Sequence, residues 1–552
     1  MKKELTLSCL LMWLSLSTMA TDEQSVVEIR GDRIIIYPQR MELTGEETLL
    51  DILEMYPDLM GAGFDDVLEG NGIQDSYQLR LENVAISSDM RLTVTQMKAA
   101  LISKIQICHN AGVAKGRTGD GRVIDINLLR ADSGAHGFLS LQGCSNKLLV
   151  PSANLRYGSE KTDIWSALTY THEDGSGWGD KAEKFHFQMT NRFSPRDLLR
   201  TYVTQSSSRF DQEADNPVFH GRNRSLMARF RYFHTFNDQG TELLTMLSWA
   251  HQYTPSESYQ TDSKAHINES QRTHSPVWLL ELNTPLFSKN LSLMAGYEGG
   301  LDFIRYHYDD TLDTSDNEHS RYQVMSNALY LQLNYVLGML RLTVGDRVMF
   351  YHYKRKGESG EWSHNDTRNN FQASAILTPH KGHQVQLAYY RKFHNPLVIS
   401  SLPLEEIKTD QYKLSYAYSR KTFSGQLDGS IYRTDGSTIW VIDGSVYKKT
   451  GVLSLTAGFN VYNAQSPSDE RLTFADIRLV PVVRLPLSLQ LSAKLIWYSS
   501  QSPYRVLNEN TAFYGALQAD KQFGRHWNLH AEWHDMFYCK QSAALVGIMY
   551  RF

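Results

Sequence analysis

Three histidines near the C-terminus, His526, His530 and His534, repeat every four residues with Glu532 among them, and side chains of these types are the ones that bind a transition metal. Their neighbours decide the geometry. Trp527, Leu529, Ala531 and Trp533 alternate with Asn528, His530, Glu532 and His534, which is the period of a strand. Four strand residues span roughly 13 Å at about 3.3 Å each, whereas zinc holds its donors at about 2 Å. The three histidines therefore cannot share one ion, and they read as polar positions facing the inside of a closed sheet. The other histidines are scattered along the chain, so no metal site is assigned.

Other chemical patterns fail on their spacing. Gly112, Gly116, Gly119 and Gly121 suggest a phosphate loop, but Gly116-Arg117-Thr118 lacks the Gly-Lys-Ser/Thr ending and the helix that must follow it. The segment reads as a turn. There is no Gly-x-Ser-x-Gly elbow and no Cys–His pair in a supporting context. No catalytic or cofactor-binding residue is assigned, no cofactor is expected, and the chain does not read as an enzyme. With 56 Lys and Arg against 60 Asp and Glu, it has no basic footprint for nucleic acid.

The N-terminus points to export. Lys2 and Lys3 precede an apolar run from Leu5 to Met19, and Thr18 and Ala20 are small residues at the spacing of a cleavage site. Residues 1–20 read as a signal peptide cut between Ala20 and Thr21. The run is shorter than the roughly 18 to 20 apolar residues of a membrane-crossing helix. Of four cysteines, Cys9 lies in this leader. Cys108, Cys144 and Cys539 remain, and a Cys108–Cys144 bridge is permitted but not demanded.

Beyond the leader the chain divides near residue 130. From 21 to 130 the pattern is mixed: a strand over Glu28–Tyr37, an amphipathic helix over Thr44–Tyr56 with Thr44 and Glu47 as a capping box, and a second helix over Leu92–Leu101. Strands over Lys104–Cys108 and Val123–Leu128 complete a small α/β domain. From 131 to 552 the period is two. Leu329, Leu331, Leu333 and Tyr335 alternate with polar or aromatic partners, and Leu485 to Trp497 reads as one long alternating strand. Mean hydropathy is only −0.40, as expected when every second residue of a strand faces lipid. Asp309–His319 and Lys354–Asn370 read as polar outer loops; Asn237–Gly240 and Ser288–Asn290 read as short periplasmic turns. Ala544, Val546, Ile548, Tyr550 and Phe552 alternate up to a terminal aromatic carboxylate. An outer-membrane β-barrel of a Gram-negative bacterium is the expectation, and Ile548, Tyr550 and Phe552 look like its sorting signal for the barrel assembly machinery.

In this order the segments resemble the TonB-dependent receptors, and more narrowly the receptor-like outer-membrane β-barrel proteins with a short plug. The residues that carry the likeness begin with Gly31-Asp32-Arg33-Ile34-Ile35-Ile36-Tyr37, then Leu50, Leu53 and Pro57, and Leu81-Glu82-Asn83-Val84. Ile102, Ile105 and Ile107 follow, and Gly121-Arg122-Val123-Ile124-Asp125-Ile126 closes the plug. In the barrel the likeness rests on Tyr330-Leu331-Gln332-Leu333, Val344-Gly345-Asp346-Arg347 and Arg391 to Pro396. Glu82-Asn83 stands where the family has Asp-Gly, and the family's Arg-Gly plug signature is missing. The resemblance implies an all-β transmembrane barrel of about 22 antiparallel strands, with smaller rings left open, and a plug over 21–130. It implies energy-coupled uptake of an unidentified ligand, with TonB as periplasmic partner and lipid around the wall. The candidate coupling segment is Gln24–Glu28, with Ser25, Val26 and Val27; an ordinary edge strand is the other reading. The alternative function is a non-transporting barrel for adhesion, assembly or signalling with a degenerate plug.

Overall fold

The fold follows from two patterns: a short mixed stretch that can bury a core of its own, and a long stretch of period-two strands that cannot. The structure is a computed structural model. It describes residues 26–30, 33–41, 49–54, 77–81, 84–85, 94, 97, 99–108 and 122–129 of the N-terminal part, and 134–552 apart from parts of the connections between strands.

The N-terminal part is a six-stranded sheet in the order β1-β2-β5-β6-β3-β4. Its strands are β1 (Val27–Arg30), β2 (Arg33–Ile36), β3 (Tyr77–Leu81), β4 (Val84–Ala85), β5 (Ile102–Cys108) and β6 (Arg122–Leu128). β3 and β6 run parallel; the other pairs are antiparallel. Ile36, Ile105, Ile124 and Ile126 turn one face of the sheet into a core, closed by Leu49, Ile52 and Leu53 of helix α1 (Leu49–Glu54). The expected strand over Glu28–Tyr37 is a hairpin instead, with Val27 opposite Ile36. Gly-Asp is a hairpin-turn dipeptide, and Gly31-Asp32, which lies outside the described residues, stands at the break. Helix is described only over Leu49–Glu54 of the expected Thr44–Tyr56. At the end of the expected Leu92–Leu101 helix the chain makes a 3-10 turn, Ala99–Leu101, that leads directly into β5.

Twenty-two antiparallel strands, from β7 (Gly134–Cys144) to β28 (Ala543–Arg551), form a closed barrel. β28 pairs with β7 to close the ring, so every strand has two neighbours and no backbone edge meets lipid. Alternation sorts the side chains. Leu331 is 48% exposed on the outer face while Tyr330, one residue back, is 4% exposed on the inner face. Trp527, Leu529 and Trp533 face out; Asn528 and His530 face in. An outward apolar surface of this extent is costly in water and favourable in a bilayer.

The barrel is uneven in height. A tilted strand crosses a membrane in about 9 to 11 residues, yet β13 (Glu242–Gln260), β14 (Ala265–Leu286), β15 (Ser288–Asp310) and β16 (Glu318–Leu337) have 19, 22, 23 and 20. These hairpins rise well past the bilayer on the outer side. Several expected loops are therefore strand. Lys354–Asn370 belongs to β17 (Leu340–Gly357) and β18 (Gly360–Leu377), which pair as far as Gly357 and Gly360. Polarity alone suggested a loop, but a strand rising into solvent is polar on both faces. Asp309–His319 shrinks to a connection over 311–317. Ser288 already belongs to β15, and the turn lies at Phe287, which takes a left-handed φ of 54°. Leu485–Trp497 is two strands, β24 (Arg471–Leu485) and β25 (Leu489–Tyr498), parted by a turn in which Leu487 and Ser488 have φ of 65° and 57°. Asn237–Gly240 is a short turn as expected. Cys108, in the plug sheet, and Cys144, in the barrel wall, are not joined in a disulfide.

Candidate functional site: the plug edge and the lumen

The first strand of the plug is an edge strand, with one sheet neighbour. Val26 and Val27 are buried in the plug core. The Tyr37 amide donates to the Val26 carbonyl at 2.9 Å. Glu28 forms an ion pair with Arg40 at 2.8 Å, and the Arg40 guanidinium lies 3.6 Å over the Tyr37 ring. From the barrel, Ser419 of β20 (Ile407–Arg420) donates its hydroxyl to the Val27 carbonyl at 2.8 Å. Val27 and Glu28 of the candidate segment thus lie in an edge strand, with Val26 just ahead of it; Gln24 and Ser25 lie outside the described residues, as do Ala20 and Thr21.

The plug is seated by apolar and charged contacts together. Trp165 and Ala167 of β9 (Thr162–Glu173) join the plug's own core cluster. The Trp165 indole donates to Asn154 at 2.8 Å. A polar cavity of about 150 Å³ beside them is bounded by Leu128 of the plug and by Arg156, Asp163, Gln188 and Arg200 of the wall. Within the plug, Arg80 of β3 lies opposite Asp125 of β6. Burial lowers the Arg80 guanidinium to about 10, against the raising effect of Asp125 and of Glu298 on the wall.

The wall carries its own buried ionic layer. Arg347 is 2% exposed and pairs with Glu298 at 2.8 Å, its guanidinium 5.3 Å from the Tyr330 ring centroid. Tyr330 donates to Glu281 at 2.7 Å. Gly296, directly opposite Tyr330, leaves the room the ring occupies: a Cβ there would lie 2.2 Å from it. Towards the outer end the lumen is lined by arginine and tyrosine. Arg355 lies 5.6 Å from the Tyr322 ring and Arg368 5.1 Å from Tyr351. Further round, Tyr432, Tyr462, Phe474 and Tyr498 form a second inward cluster, with Tyr462 and Phe474 stacked at 4.5 Å. The guanidinium groups are paired with carboxylates, Arg355 with Glu318 at 2.6 Å and Arg368 with Asp366 at 2.5 Å.

The sequence-derived positions fare differently. Val546 and Ile548 face outward at the closing seam, and Phe552 exchanges backbone hydrogen bonds with Gly137 at 3.0 and 3.2 Å. His530 faces in and contacts Asp520 at 2.7 Å, whereas His526 lies at the turn against the Arg551 carbonyl at 2.8 Å, so the two do not converge. The remaining histidines are not all scattered, however: His307 and His319 stand side by side in the fold. That meeting depends on strand register, which single residues twelve apart do not reveal.

No family profile matches the chain, and no curated protein matches it by sequence. Solved structures do match by fold. The alcaligin outer-membrane receptor FauA of Bordetella pertussis superposes with a TM-score of 0.71 at 13% identity over 95% of each chain. The ferric yersiniabactin uptake receptor FyuA of Yersinia pestis gives 0.70 at 12% identity, over 95% of this chain and 98% of that one. The copper transporter OprC gives 0.72 at 10% identity, over 96% and 100%. The likeness spans plug and barrel together, and the chain has the fold of the TonB-dependent outer-membrane receptors.

Proposed function

We propose that this protein is an outer-membrane receptor that takes up a scarce ligand when a periplasmic partner, TonB, pulls on the N-terminal end of its plug. One observation carries the reading: the first plug strand is a four-residue edge strand, attached to a single sheet neighbour and, through Ser419, to the barrel. A pull applied ahead of Val26 peels β1 from β2 one pair at a time, without loading the 22-strand ring. Segments that move in gating come from the low-stability end of a fold. Solved receptors of this fold are named for alcaligin and for ferric yersiniabactin. The second of these names favours a ferric chelate as the ligand class. The activity is transport, not catalysis.

The test is uptake by cells in which this protein is the only candidate receptor, supplied with labelled ferric chelates. Uptake that stops on deletion of TonB, and on removal of residues 21–30 with the barrel still folded, supports the proposal. Uptake indifferent to both changes overturns it. A second reading, a non-transporting barrel for adhesion, assembly or signalling, is favoured by the burial and hydrogen bonding of Val26 and Val27, which leave them unpresented to a partner in the resting state.

A further inference from the structure

We propose that His307, Asp309 and His319 form a binding site for a divalent transition-metal ion on the outer face of the barrel, above the bilayer. His307 and Asp309 are two residues apart on β15 and share one face; His319 on β16 is the direct cross-strand partner of His307. The two imidazole rings lie 3.9 Å apart, centroid to centroid. Both turn Nε2 towards the same carboxylate: His307 Nε2 lies 2.8 Å from one oxygen of Asp309 and His319 Nε2 lies 3.0 Å from the other. All three ligand atoms fall within 4.8 Å of one another.

Those distances are close to what an ion requires. Tetrahedral zinc with bonds of about 2.0 Å separates its donors by roughly 3.3 Å. The nitrogen–oxygen spacings are already slightly under that, so a small rotation of the carboxylate opens the centre. The site is held on rigid elements. The Asp310 amide donates to Asn317 at 2.6 Å, the Thr311 amide to the His266 carbonyl at 3.1 Å, and the His266 amide to Thr311 at 2.9 Å. The first closes the β15–β16 hairpin and the other two fasten its top to β14. The Asp309 carboxyl is held below the usual carboxylate range, first by the hydrogen bond from His319, and is ionised at neutral pH.

The position is accessible. The three side chains are 45%, 36% and 47% exposed. They sit four to six strand residues beyond Phe303, an outward apolar residue of β15, at about 3.3 Å per residue. The surroundings select the ion. Two imidazoles and one carboxylate suit Zn²⁺ and Cu²⁺, while Ca²⁺ and Mg²⁺ require six or more oxygen donors. Arg305 and Arg321, cross-strand partners on the same face one step nearer the membrane, disfavour any cation held only by charge. Three protein ligands leave at least one coordination position for water or for a donor from outside.

Titration of the full-length protein in detergent tests this, with Zn²⁺ by calorimetry and Cu²⁺ by electron paramagnetic resonance. The expected result is one saturable site with two nitrogen donors in the Cu²⁺ spectrum and no competition from millimolar Mg²⁺. His307→Ala and His319→Ala should each weaken binding about 10-fold or more, with the heat-modifiable gel mobility of the folded barrel unchanged. Binding of equal strength in the double variant, or no saturable binding by the parent protein, overturns the proposal. The double variant retains Cys144, so a thiol-held ion falls in the first of those outcomes.

Discussion

The hydroxyl of Ser419 donates to the carbonyl of Val27 at 2.8 Å, tying a barrel strand to the first strand of the plug across 392 residues of sequence. The bond crosses the boundary that must open if a pull on the N-terminus is to move the plug. A neutral hydrogen bond of this kind contributes about 1 kcal/mol, enough to latch the strand and small enough to release.

Ser419→Ala should therefore raise the opening of β1 about five-fold, the factor that 1 kcal/mol represents. Hydrogen exchange at residues 26–30 should quicken while the barrel strands keep their protection. Equal exchange in both proteins would remove Ser419 as the latch.

Arg347 of β17 (Leu340–Gly357) and Glu298 of β15 form an enclosed ion pair across β16, and removing one partner leaves a buried charge less compensated. Arg347→Leu should destabilise the barrel by about 3–5 kcal/mol, seen as a lowered midpoint of thermal unfolding in detergent. Adding Glu298→Gln to that variant should recover part of the loss, because the orphaned charge is then gone. A simple additive effect would mean the two side chains are not coupled.

The seam depends on a residue without a side chain. A Cβ at Gly137 would lie 2.5 Å from the Asn154 carbonyl oxygen and 2.6 Å from the Phe552 ring. Gly137→Val should therefore reduce the fraction that closes into a heat-modifiable barrel, since the clash falls where β28 meets β7. Full assembly of that variant would show that the seam has slack enough to take the side chain.

At the periplasmic turn before β11 (Asp197–Glu213), Asp197 accepts hydrogen bonds from Ser194 and Tyr232 and lies against His234. The Ser194 bond leads the effects that push its carboxyl below the usual range. Its folded pKa is depressed, so the stabilisation is fully present above the usual carboxylate value and is lost as pH falls through the depressed one. Protection of the 195–196 turn against proteolysis or exchange should hold at pH 4 and fail only in stronger acid. Asp197→Asn should loosen the turn already at pH 7.

The barrel was legible because its evidence is repeated. Leu329 to Tyr335 and Trp527 to Trp533 each show the alternation that the wall uses, and a one-residue slip would reverse every face. Ile36, Ile105 and Ile107, picked out by the plug motifs, are core residues. The errors fall where pattern and geometry separate. Leu485 to Trp497 keeps its alternation through a turn, because Leu487 at the tip is simply exposed. Lys354 to Asn370 is polar on both faces and still pairs residue by residue. The ionic layer of Glu298, Arg347, Tyr330 and Glu281 could not be read from the chain, since its members are up to 66 positions apart and meet only through register. The pairing of His307 with His319 was hidden for the same reason.

The central claim is that a periplasmic partner engages the N-terminal end of the plug and opens it. The most direct measurement is pull-down of the periplasmic domain of TonB by the full-length protein and by a variant lacking residues 21–30. Binding that vanishes with the deletion, while the barrel stays folded, is the predicted result and places the coupling segment there. Absence of binding by the full-length protein, with ligand present or absent, would contradict energy-coupled uptake and leave the non-transporting barrel as the better account.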